Sequence, residues 1–394
     1  MKNNRTFLEK LLDGAEVEWK PLGKVTDIKT GQPVSKNIIA QNPGIYPVIN
    51  SGREPLGFIN EWNTENDPIG ITTRGAGVGS ITWQEGKYFR GNLNYSVTIK
   101  SEYELNVRFL YHVLLYFQKE IHNLCSFTGI PALNASELKK LEIPIPPLPV
   151  QTEIVKILDA LTALTSELTS ELTLRRKQYE HYREKLLSEE ELGKVGFEWK
   201  TLGDVAKIQR GASPRPISQY ITDDPNGIPW IKIGDTSLDS KYIENTAQKI
   251  TIEGAEKSRI LKSGDFVMSN SMSYGRPYIL KISGAIHDGW ASISDFENIL
   301  NSDFLYYYLS SNTVQSYWNG KINSSSVSNL NSDIIKSLPI PIPTLNIQIE
   351  IAKTLDKFEI LTNSITEGLP LAIEQSQKRY EYYRELLLNF PVRE

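Results

Sequence analysis

The stretch LEIPIPPLPVQTEIVKILDALTAL at residues 141–164 returns as LPIPIPTLNIQIEIAKTLDKFEIL at residues 338–361, and thirteen of the twenty-four aligned positions are identical. In both copies closely spaced prolines favour an extended chain, because the residue before a proline disfavours helical geometry. The apolar residues of the second part then recur with helical spacing. The chain is therefore expected to run twice from an extended segment directly into a helix.

Two further pairs of segments show that most of the chain is written twice. VEWKPLGKVTDIKTG at 17–31 matches FEWKTLGDVAKIQRG at 197–211, and KQYEHYREKLL at 177–187 matches KRYEYYRELLL at 378–388. Each copy contains a Trp-Lys-x-Leu-Gly start, a segment of mixed composition, a proline-rich stretch and a long helix, in that order. Repetition on this scale predicts two copies of one structural plan.

The two copies diverge most in the mixed segments, where the offset between them grows from 180 to 197 residues. The N-terminus continues the pattern, since FLEKLLDG at 7–14 echoes REKLLS at 183–188, the piece that precedes the second start. The repeat is therefore circular, and the two chain ends are expected to lie close together.

Apolar and aromatic residues after the prolines alternate in steps of four and three, which is the 3.5-residue period of a coiled coil. The seam residues are Leu158, Leu161, Leu168, Leu172, Tyr179 and Tyr182 in the first copy, and Leu355, Phe358, Ile365, Tyr380 and Tyr383 in the second. The first helix is predicted to be continuous from about 150 to 190. The second is predicted to break near 370, at Gly368 and Pro370. We favour an antiparallel pair, roughly 50–60 Å long, over two helices that each pack only on their own domain.

Within the first helix the sequence LTSELTSELT at 164–173 repeats the tetrapeptide TSEL. Four residues make about one helical turn, or roughly 6 Å of rise. One interpretation is that the length of this helix is itself functional. The alternative is a duplication tolerated on an exposed helix.

The mixed segments carry short runs typical of strands, separated by Gly, Pro and Asn clusters, and each ends in a helical stretch. The runs are KVTDIKT, YPVIN, GITT, SITW and NYSVTIK in the first copy, and DVAKIQ, PWIKI, DFVMS, PYIL and ASISD in the second. Helices are predicted near 107–123 and 302–317. We read two α+β domains.

Composition limits the class of protein. At 394 residues and a net charge of -4, the chain is too long for one ordinary domain and is not a strongly basic nucleic-acid binder. The single Cys125 excludes an internal disulfide and fits the reducing cytosol. No signal peptide is read in the N-terminal residues, and FLYHVLLYF at 109–117 is too short to span a membrane. We expect a cytoplasmic protein.

Catalytic signals are sparse. The four histidines are scattered and there is one cysteine, so no metal-binding pattern is spelled. The glycine run TTRGAGVGSITW at 72–83 is followed by a strand-like segment, whereas a dinucleotide-binding loop requires a helix there. These glycines more simply shape a turn, or allow the backbone to approach a ligand closely.

Cationic and polar side chains in turn-rich, aromatic-flanked segments are candidates for contacts with DNA, because guanidinium groups fork onto guanine or phosphate and amides pair with adenine. The candidates are Arg53, Arg74, Lys87, Arg90, Asn94, Arg210, Arg215, Lys232, Asn270, Ser273, Arg276, Lys321 and Ser324. For any one of them, an ordinary solvated surface residue is the competing interpretation.

Taken together, these features resemble the DNA specificity (S) subunit of Type I restriction-modification systems. The doubled W-K-x-L-G starts, the doubled PIP-x-L-x-x-Q-x-E-I-x-K-x-L-D passages and the pair KQYEHYRE and KRYEYYRE carry the resemblance, which covers nearly the whole chain. Tetrapeptide repeats at the position of LTSELTSELT are also typical of that family.

The resemblance implies two target-recognition domains, each reading one half of a split, asymmetric DNA sequence. It implies an antiparallel helical spacer that docks two methyltransferase subunits, which carry S-adenosylmethionine and flip adenine, and restriction or translocase subunits that join in some systems. No catalytic residue and no cofactor are then expected in this chain. The expected boundaries are an N-terminal helical segment (1–16), recognition domain 1 (17–149), a central helix (150–192), recognition domain 2 (193–346) and a C-terminal helix (347–394).

Two other interpretations of the sequence stay open at this point. One is an orphan S-like protein that binds DNA without enzyme partners. The other is a scaffold that does not bind DNA, which would show no sequence preference in a binding-site selection.

Overall fold

The computed structural model of the chain describes residues 6–52, 54–237, 240–270, 275–323, 330–364 and 367–391. The chain divides into two units. Unit 1 comprises Met1–Glu167 and Ile373–Glu394, and unit 2 comprises Leu168–Ala372. Each unit therefore combines one mixed segment with parts of both long helical regions.

Helices and strands alternate along the described residues, together with single 3-10 turns at Ile217–Gln219 and Ile233–Asp235. The helices are α1 (Phe7–Leu12), α2 (Leu22–Val25), α3 (Lys36–Gln41), α4 (Val107–Tyr116), α5 (Gln118–Asn123), α6 (Ala135–Leu138), α7 (Leu148–Leu186), α8 (Glu189–Val195), α9 (Leu202–Val205), α10 (Ile252–Glu256), α11 (Ser302–Leu309), α12 (Asn312–Asn323), α13 (Ser332–Lys336), α14 (Leu345–Asn363) and α15 (Leu369–Leu388). The strands are β1 (Glu18–Pro21), β2 (Thr26–Thr30), β3 (Pro43–Ile49), β4 (Phe58–Ile59), β5 (Ile69–Thr72), β6 (Ile81–Trp83), β7 (Phe89–Arg90), β8 (Asn94–Ile99), β9 (Glu142–Ile145), β10 (Glu198–Thr201), β11 (Lys207–Arg210), β12 (Ile221–Thr222), β13 (Ile228–Ile231), β14 (Tyr242–Ile243), β15 (Lys249–Ile250), β16 (Arg259–Leu261), β17 (Phe266–Ser269), β18 (Pro277–Leu280), β19 (Gly284–Ile286), β20 (Trp290–Ser294) and β21 (Pro339–Ile342).

The mixed segment of unit 1 is built from two small sheets and a helix. One sheet has the antiparallel order β2-β8-β5-β6, and the other has the order β4-β3-β7, with β3 and β7 parallel. Alternating apolar residues of the first sheet, such as Ile69, Ile71 and Val97, are buried in one core with Phe109 and Leu110 of α4. The alternation that suggested strands in the sequence therefore forms the domain core.

The mixed segment of unit 2 repeats this plan with additional strands. Its sheets have the orders β11-β20-β17-β18-β14 and β12-β15-β13-β19-β16, and β13 pairs with β19 in parallel. The series β11-β20-β17-β18 corresponds to β2-β8-β5-β6, and the β13–β19 pair corresponds to β3–β7. The two diverged segments thus share one topology, and the α+β prediction is confirmed.

The duplicated Trp-Lys and Pro-Ile-Pro motifs pair with each other in both units. β1 is antiparallel to β9, with Trp19 opposite Pro144, and β10 is antiparallel to β21, with Trp199 opposite Pro341. Prolines are tolerated because each of these sheets has only two strands, so every strand is an edge strand. The sequence predicted an extended segment here but not its partner.

A buried glutamine at the start of each long helix explains the repeated Gln of the motif. Gln151 is fully buried; its Oε1 accepts a hydrogen bond from the backbone N–H of Asn106 at 2.8 Å, and its amide donates to the carbonyls of Glu104 and Pro146. Gln348 makes the same three contacts with Asn301, Ile299 and Pro343. Each glutamine therefore joins the helix to the loop that precedes α4 or α11.

We expect Gln348→Leu to lower the free energy of unfolding by about 3 kcal/mol, because a buried backbone group left without its partner costs roughly 1–3 kcal/mol. Urea denaturation followed by circular dichroism measures this loss. The matched control is Gln375→Leu at an exposed position of α15, which is expected to change stability by less than about 0.5 kcal/mol. Equal losses in the two variants would contradict the role of Gln348.

The long helices confirm the predicted coiled coil. α7 is one helix of 39 residues, whereas the C-terminal region consists of α14 and α15, which flank Gly368 with its positive φ of 88°. In unit 1, Asp159 of α7 and Tyr380 of α15 both contact His112, and later in α7 Thr165 shares a hydrogen bond of 2.8 Å with Ser376, which comes earlier in α15. The two helices of unit 1 are therefore antiparallel. In unit 2, Tyr182 of α7 stacks on Phe358 of α14.

The helices pack on the domains in addition to pairing with each other. Leu158 lies in the core of unit 1 with Tyr380 and Tyr383 packed against it, and Leu355 lies in the core of unit 2 with Tyr179. Leu161, Leu168 and Leu172 are half-buried along α7. Ile365 lies outside the described residues.

The two chain ends meet within unit 1, as the circular repeat predicted. Leu8 of α1 belongs to the same core cluster as Leu387, Leu388 and Phe390. The indole N–H of Trp19 donates to the carbonyl of Pro391 at 3.2 Å.

No helix within the described ranges has the length and apolar character needed to cross a bilayer.

Candidate nucleic-acid interface

In unit 1 several strand ends converge at one edge of the fold, which we call edge 1: residues 31–32, 49–50, 73–74 and 90–94. Hydrogen bonds between backbone groups hold these residues together. Gly31 N–H donates to the Asn94 carbonyl at 3.2 Å, Gly91 N–H to the Ile49 carbonyl at 2.8 Å, and Thr73 N–H to the Leu93 carbonyl at 2.9 Å. Turns and strand ends presented by a rigid sheet are typical places for binding residues.

Unit 2 has the same arrangement at edge 2: residues 210–211, 231–232, 270 and 286–290. The hydrogen bonds correspond one to one. Gly211 N–H donates to the Trp290 carbonyl at 2.8 Å, His287 N–H to the Ile231 carbonyl at 3.1 Å, and Asn270 N–H to the Gly289 carbonyl at 3.2 Å. The edges are therefore equivalent in backbone structure and different in side chains.

The repeated glycine that closes each 15-residue match is required by this geometry. A Cβ added at Gly31 would lie 2.2 Å from the carbonyl oxygen of Arg90, and one added at Gly211 would lie 2.0 Å from that of His287. A side chain at either position would force the first strand away from the turn.

Two of the thirteen DNA-contact candidates, Arg90 and Asn94, are buried at the turn of edge 1. Arg90 is 3 % exposed and Asn94 is fully buried. The guanidinium of Arg90 donates to the carbonyls of Asp67, Ile69 and Tyr95 and to Oδ1 of Asn94, and it contacts the Tyr88 hydroxyl. These contacts hold Arg90 within the fold, where it supports the turn.

The remaining candidates of unit 1 lie apart from one another. Arg74 is exposed at the start of the glycine-run loop, which is fixed by an isolated bridge to Ala132. Lys87 is also exposed, with its Nζ 4.5 Å from the centre of the Trp62 ring and 3.9 Å from Glu65. Arg53 lies outside the described residues. Arg74 is thus the described cation at edge 1 that best retains its proposed role.

In unit 2 the structure brings three candidates together at one turn. Arg210 and Asn270 both donate to the backbone carbonyl of Asp288, at 3.1 and 3.2 Å. The guanidinium of Arg215 lies 3.5 Å from the Asp288 carboxylate. Asp288 was not among the candidates, although the sequence IHDGW carries an Asp-Gly turn signal.

The other candidates of unit 2 are more dispersed. Lys232 is half-buried at edge 2 and donates to Oε1 of Gln248 at 2.7 Å. Arg276 lies on the loop between β17 and β18, which corresponds to the glycine-run loop of unit 1, and stacks over the Tyr278 ring at 5.4 Å. Lys321 of α12 is exposed, with its Nζ 5.4 Å from the Tyr317 ring centre. Ser273 and Ser324 lie outside the described residues.

An aspartate on each long helix fastens the domain of its unit. In unit 1, Asp159 of α7 lies 2.8 Å from Nε of Arg108 and 2.8 Å from Nε2 of His112, both on α4. His112 is 1 % exposed, and burial lowers its pKa in spite of Asp159. Tyr380 of α15 approaches the other ring nitrogen at 3.4 Å. His112 therefore lies where the domain meets both helices.

The equivalent aspartate of unit 2 has different partners. Asp356 of α14 accepts hydrogen bonds from the Tyr307 hydroxyl and from Nζ of Lys241, which also pairs with Asp303 at 2.7 Å. Although burial opposes it, the hydrogen bond from Lys241 to Asp303 raises the pKa of that lysine above its usual value. Burial also raises the pKa of Glu359, which accepts from Tyr307. The repeated Leu-Asp of the motif is thus a shared anchor.

Among the described residues, no group of three or more His, Cys, Asp or Glu side chains is arranged to hold a metal ion.

Comparison with known sequences places these features in one family. Residues 15–174 and 194–375 each match the family described as Type I restriction modification DNA specificity domain. The chain is 41% identical over 411 residues to a type I restriction enzyme specificity subunit of Haemophilus influenzae, covering 99% of this chain and 100% of the relative. It is 34% identical over 409 residues to the EcoR124I/EcoR124II specificity subunit of Escherichia coli, covering 98% and 97%.

Solved structures agree at the level of the fold. The S subunit of a Type-I restriction-modification system from M. genitalium aligns with a TM-score of 0.57 and 19% identity, over 97% of this chain and 98% of that one. A chain from a study of complex assembly in the type I R-M system aligns with a TM-score of 0.60 and 16% identity, over 95% and 98%. The duplicated domains and the antiparallel helices are those of the type I restriction-modification specificity subunits, the family to which this chain belongs.

Proposed function

We propose that unit 1 and unit 2 each read one half of a bipartite, asymmetric DNA sequence through edge 1 and edge 2. The observation that carries the proposal is the backbone equivalence of the two edges combined with their different side chains. One scaffold presents Arg74 on the first copy and Arg210, Arg215 and Asn270 on the second. Direct readout requires such donors on rigid elements, and different donors select different bases.

The chain itself acts as a recognition subunit without catalytic residues. We assign methylation to two partner methyltransferase subunits that carry S-adenosylmethionine, and cleavage, where it occurs, to restriction or translocase subunits. The partners dock on the long helices, whose outward faces keep apolar side chains exposed, such as Leu164, Leu174 and Tyr382. The complex works in the cytoplasm, where it meets chromosomal DNA. The recognition domains are residues 17–149 and 193–346.

Methylation mapping tests this proposal. The chain is produced together with the methyltransferase subunits of a type I restriction-modification system, and modified adenines are mapped across the host genome by long-read sequencing. We expect one split motif with two different halves and a fixed gap. A continuous motif would contradict the proposal, and so would the absence of any motif when a methyltransferase co-purifies with the chain. A chain that binds DNA without any partner would support the orphan alternative.

The equivalent loops of the two edges give a matched pair of variants. We expect Arg74→Ala and Arg276→Ala each to cost about 1–3 kcal/mol in binding of the preferred site, if the arginine contacts a base. Each loss should be confined to one half-site. Competition binding of the methyltransferase complex to duplexes with altered half-sites measures it. Lys140→Ala, at an exposed position just before β9, is the control. Equal weakening on all sequences would instead indicate a phosphate contact.

A further inference from the structure

One turn of edge 2 gathers side chains from separate segments of unit 2. Asp288 lies between β19 and β20. Its Oδ1 accepts a hydrogen bond from the Ser213 hydroxyl at 3.0 Å and lies 3.1 Å from Nδ1 of His287. Its Oδ2 lies 3.5 Å from Nη2 of Arg215. The Ser213 hydroxyl and the Arg215 guanidinium are therefore its side-chain donors, whereas Nδ1 of His287 itself accepts from the backbone N–H of Gly289.

The backbone of the same residue is used as well. The Asp288 carbonyl accepts from Nε of Arg210 at 3.1 Å and from Nδ2 of Asn270 at 3.2 Å. Its N–H donates to the Ser213 hydroxyl at 3.2 Å. Arg210 ends β11 and Asn270 follows β17, so the turn connects two strand ends of the sheet with the loop that carries Ser213.

A negative charge at an edge that faces DNA needs an explanation, because phosphates repel it. The side chain of Asp288 is 28% exposed, whereas that of Arg215 is 84% exposed. Both carboxylate oxygens already have protein partners, and most of the Arg215 guanidinium stays accessible. Burial raises the pKa of Asp288, but the hydrogen bond from Ser213 and the electrostatic effect of His287, Arg210 and Arg215 outweigh it, so the pKa is lowered. One carboxylate oxygen, Oδ2, is directed at Arg215.

We propose that Asp288 is a positioning residue for base readout by unit 2, whose carboxylate holds Arg215 and whose backbone carbonyl holds Arg210, an inference that rests on the proposed function. An arginine held in place before binding loses less side-chain entropy when it contacts DNA. A guanidinium fork also discriminates between bases only when its direction is fixed. Asp288 thus acts through the two arginines and makes no base contact of its own.

Among the described residues of edge 1, no acidic side chain takes this place. The correspondence of backbone hydrogen bonds matches Gly91 with His287 and Leu93 with Gly289, so Asn92 occupies the position of Asp288. Asn92 is exposed and uncharged. Removing the charge of Asp288 should therefore affect only the half-site that unit 2 reads.

The experiment compares Asp288→Asn with the wild-type chain, each in complex with its methyltransferase. The substrates are duplexes in which the split motif mapped for the wild type is altered at one base at a time. We expect Asp288→Asn to lose about tenfold of its discrimination, at the low end of what one bidentate arginine contributes, at bases of one half-site. Discrimination in the other half is expected to be unchanged. Asp333→Asn, with a side chain that is 91% exposed, is the matched control.

Two further variants separate positioning from simple damage. Asp288→Glu keeps the charge and is expected to restore most of the discrimination. In an Arg215→Ala background, Asp288→Asn is expected to have a clearly smaller effect, because the residue acts through the arginine. Undiminished discrimination in Asp288→Asn, or a loss spread over both halves, would overturn the inference. If the wild-type complex itself recognised no split motif, the proposed function would fail instead.

Discussion

Deleting Thr169–Leu172 is expected to shorten the unread gap of the target by one to two base pairs. The deletion removes one turn from α7, about 6 Å of rise, and a base pair occupies roughly 3.4 Å of duplex. The rotation agrees as well. Four residues turn a helix by a net angle of about 40°, which is close to the twist of one base pair at about 10.5 base pairs per turn. The original site should lose methylation at least a hundredfold, since several contacts of one half-site are lost, each worth about 1–3 kcal/mol.

The location of the repeat in the structure supports this expectation. α7 is continuous through both copies of TSEL, and the boundary between the units falls inside them, between Glu167 and Leu168. The deletion thus removes residues at the connection between the units and leaves each domain core intact. Methylation mapping of the variant gives the gap directly. Ser166→Ala with Ser170→Ala keeps the length and alters two exposed positions, so it should retain the original gap. A deletion variant that methylates the original motif would refute a role for helix length.

Replacing residues 197–346 by the same region of a relative is expected to change one half of the target completely and leave the other half unaltered. Both strands of the β10–β21 pair lie inside the exchanged region, so the two strands are exchanged together and their pairing is kept. The contact of Gln348 with the exchanged domain does not depend on the side chains of that domain, because Gln348 bonds to backbone groups of Asn301 and Ile299. The domain taken from the relative must place a cationic side chain next to Asp356, where Lys241 lies in this chain.

The reciprocal exchange is the control for that experiment. Replacing residues 17–149 should change the opposite half of the motif, with the second half and the gap unchanged. Methylation mapping reports all three features at once. If either exchange altered both halves, the domains would not read DNA independently.

The architecture could be predicted from the sequence because physical constraints are repeated in it. The 3.5-residue seam, the prolines before each helix and the glycine at position 368 each have a direct structural consequence, and the structure confirms all three. The pairing of β1 with β9 was not predicted from the sequence. Both strands of this two-stranded sheet are short and show no regular alternation of apolar and polar residues. The circular echo at the N-terminus correctly predicted that the chain ends meet.

The candidate site was predictable only in part, because loop position does not determine burial. In the sequence, Arg90 has aromatic and glycine neighbours, as an exposed loop arginine could have. In the structure it is buried and donates hydrogen bonds to Asp67 and Asn94. Asp288 was missed because acidic residues are not expected at a DNA-facing edge. Its role depends on Arg210 and Arg215 arriving from other segments, which a linear sequence does not show.

The two long helical regions are built differently, and this difference has a consequence for heredity. α7 is a single helix, whereas the C-terminal region is divided into α14, which ends at Asn363, and α15, which begins at Leu369. If the deletion shortens the gap as expected, α7 alone acts as the ruler, and the returning helices need not change length in step with it. Because the ruler contains a tandem repeat, a replication error that adds or removes one unit would give descendants a different target in a single event, with both readers inherited intact.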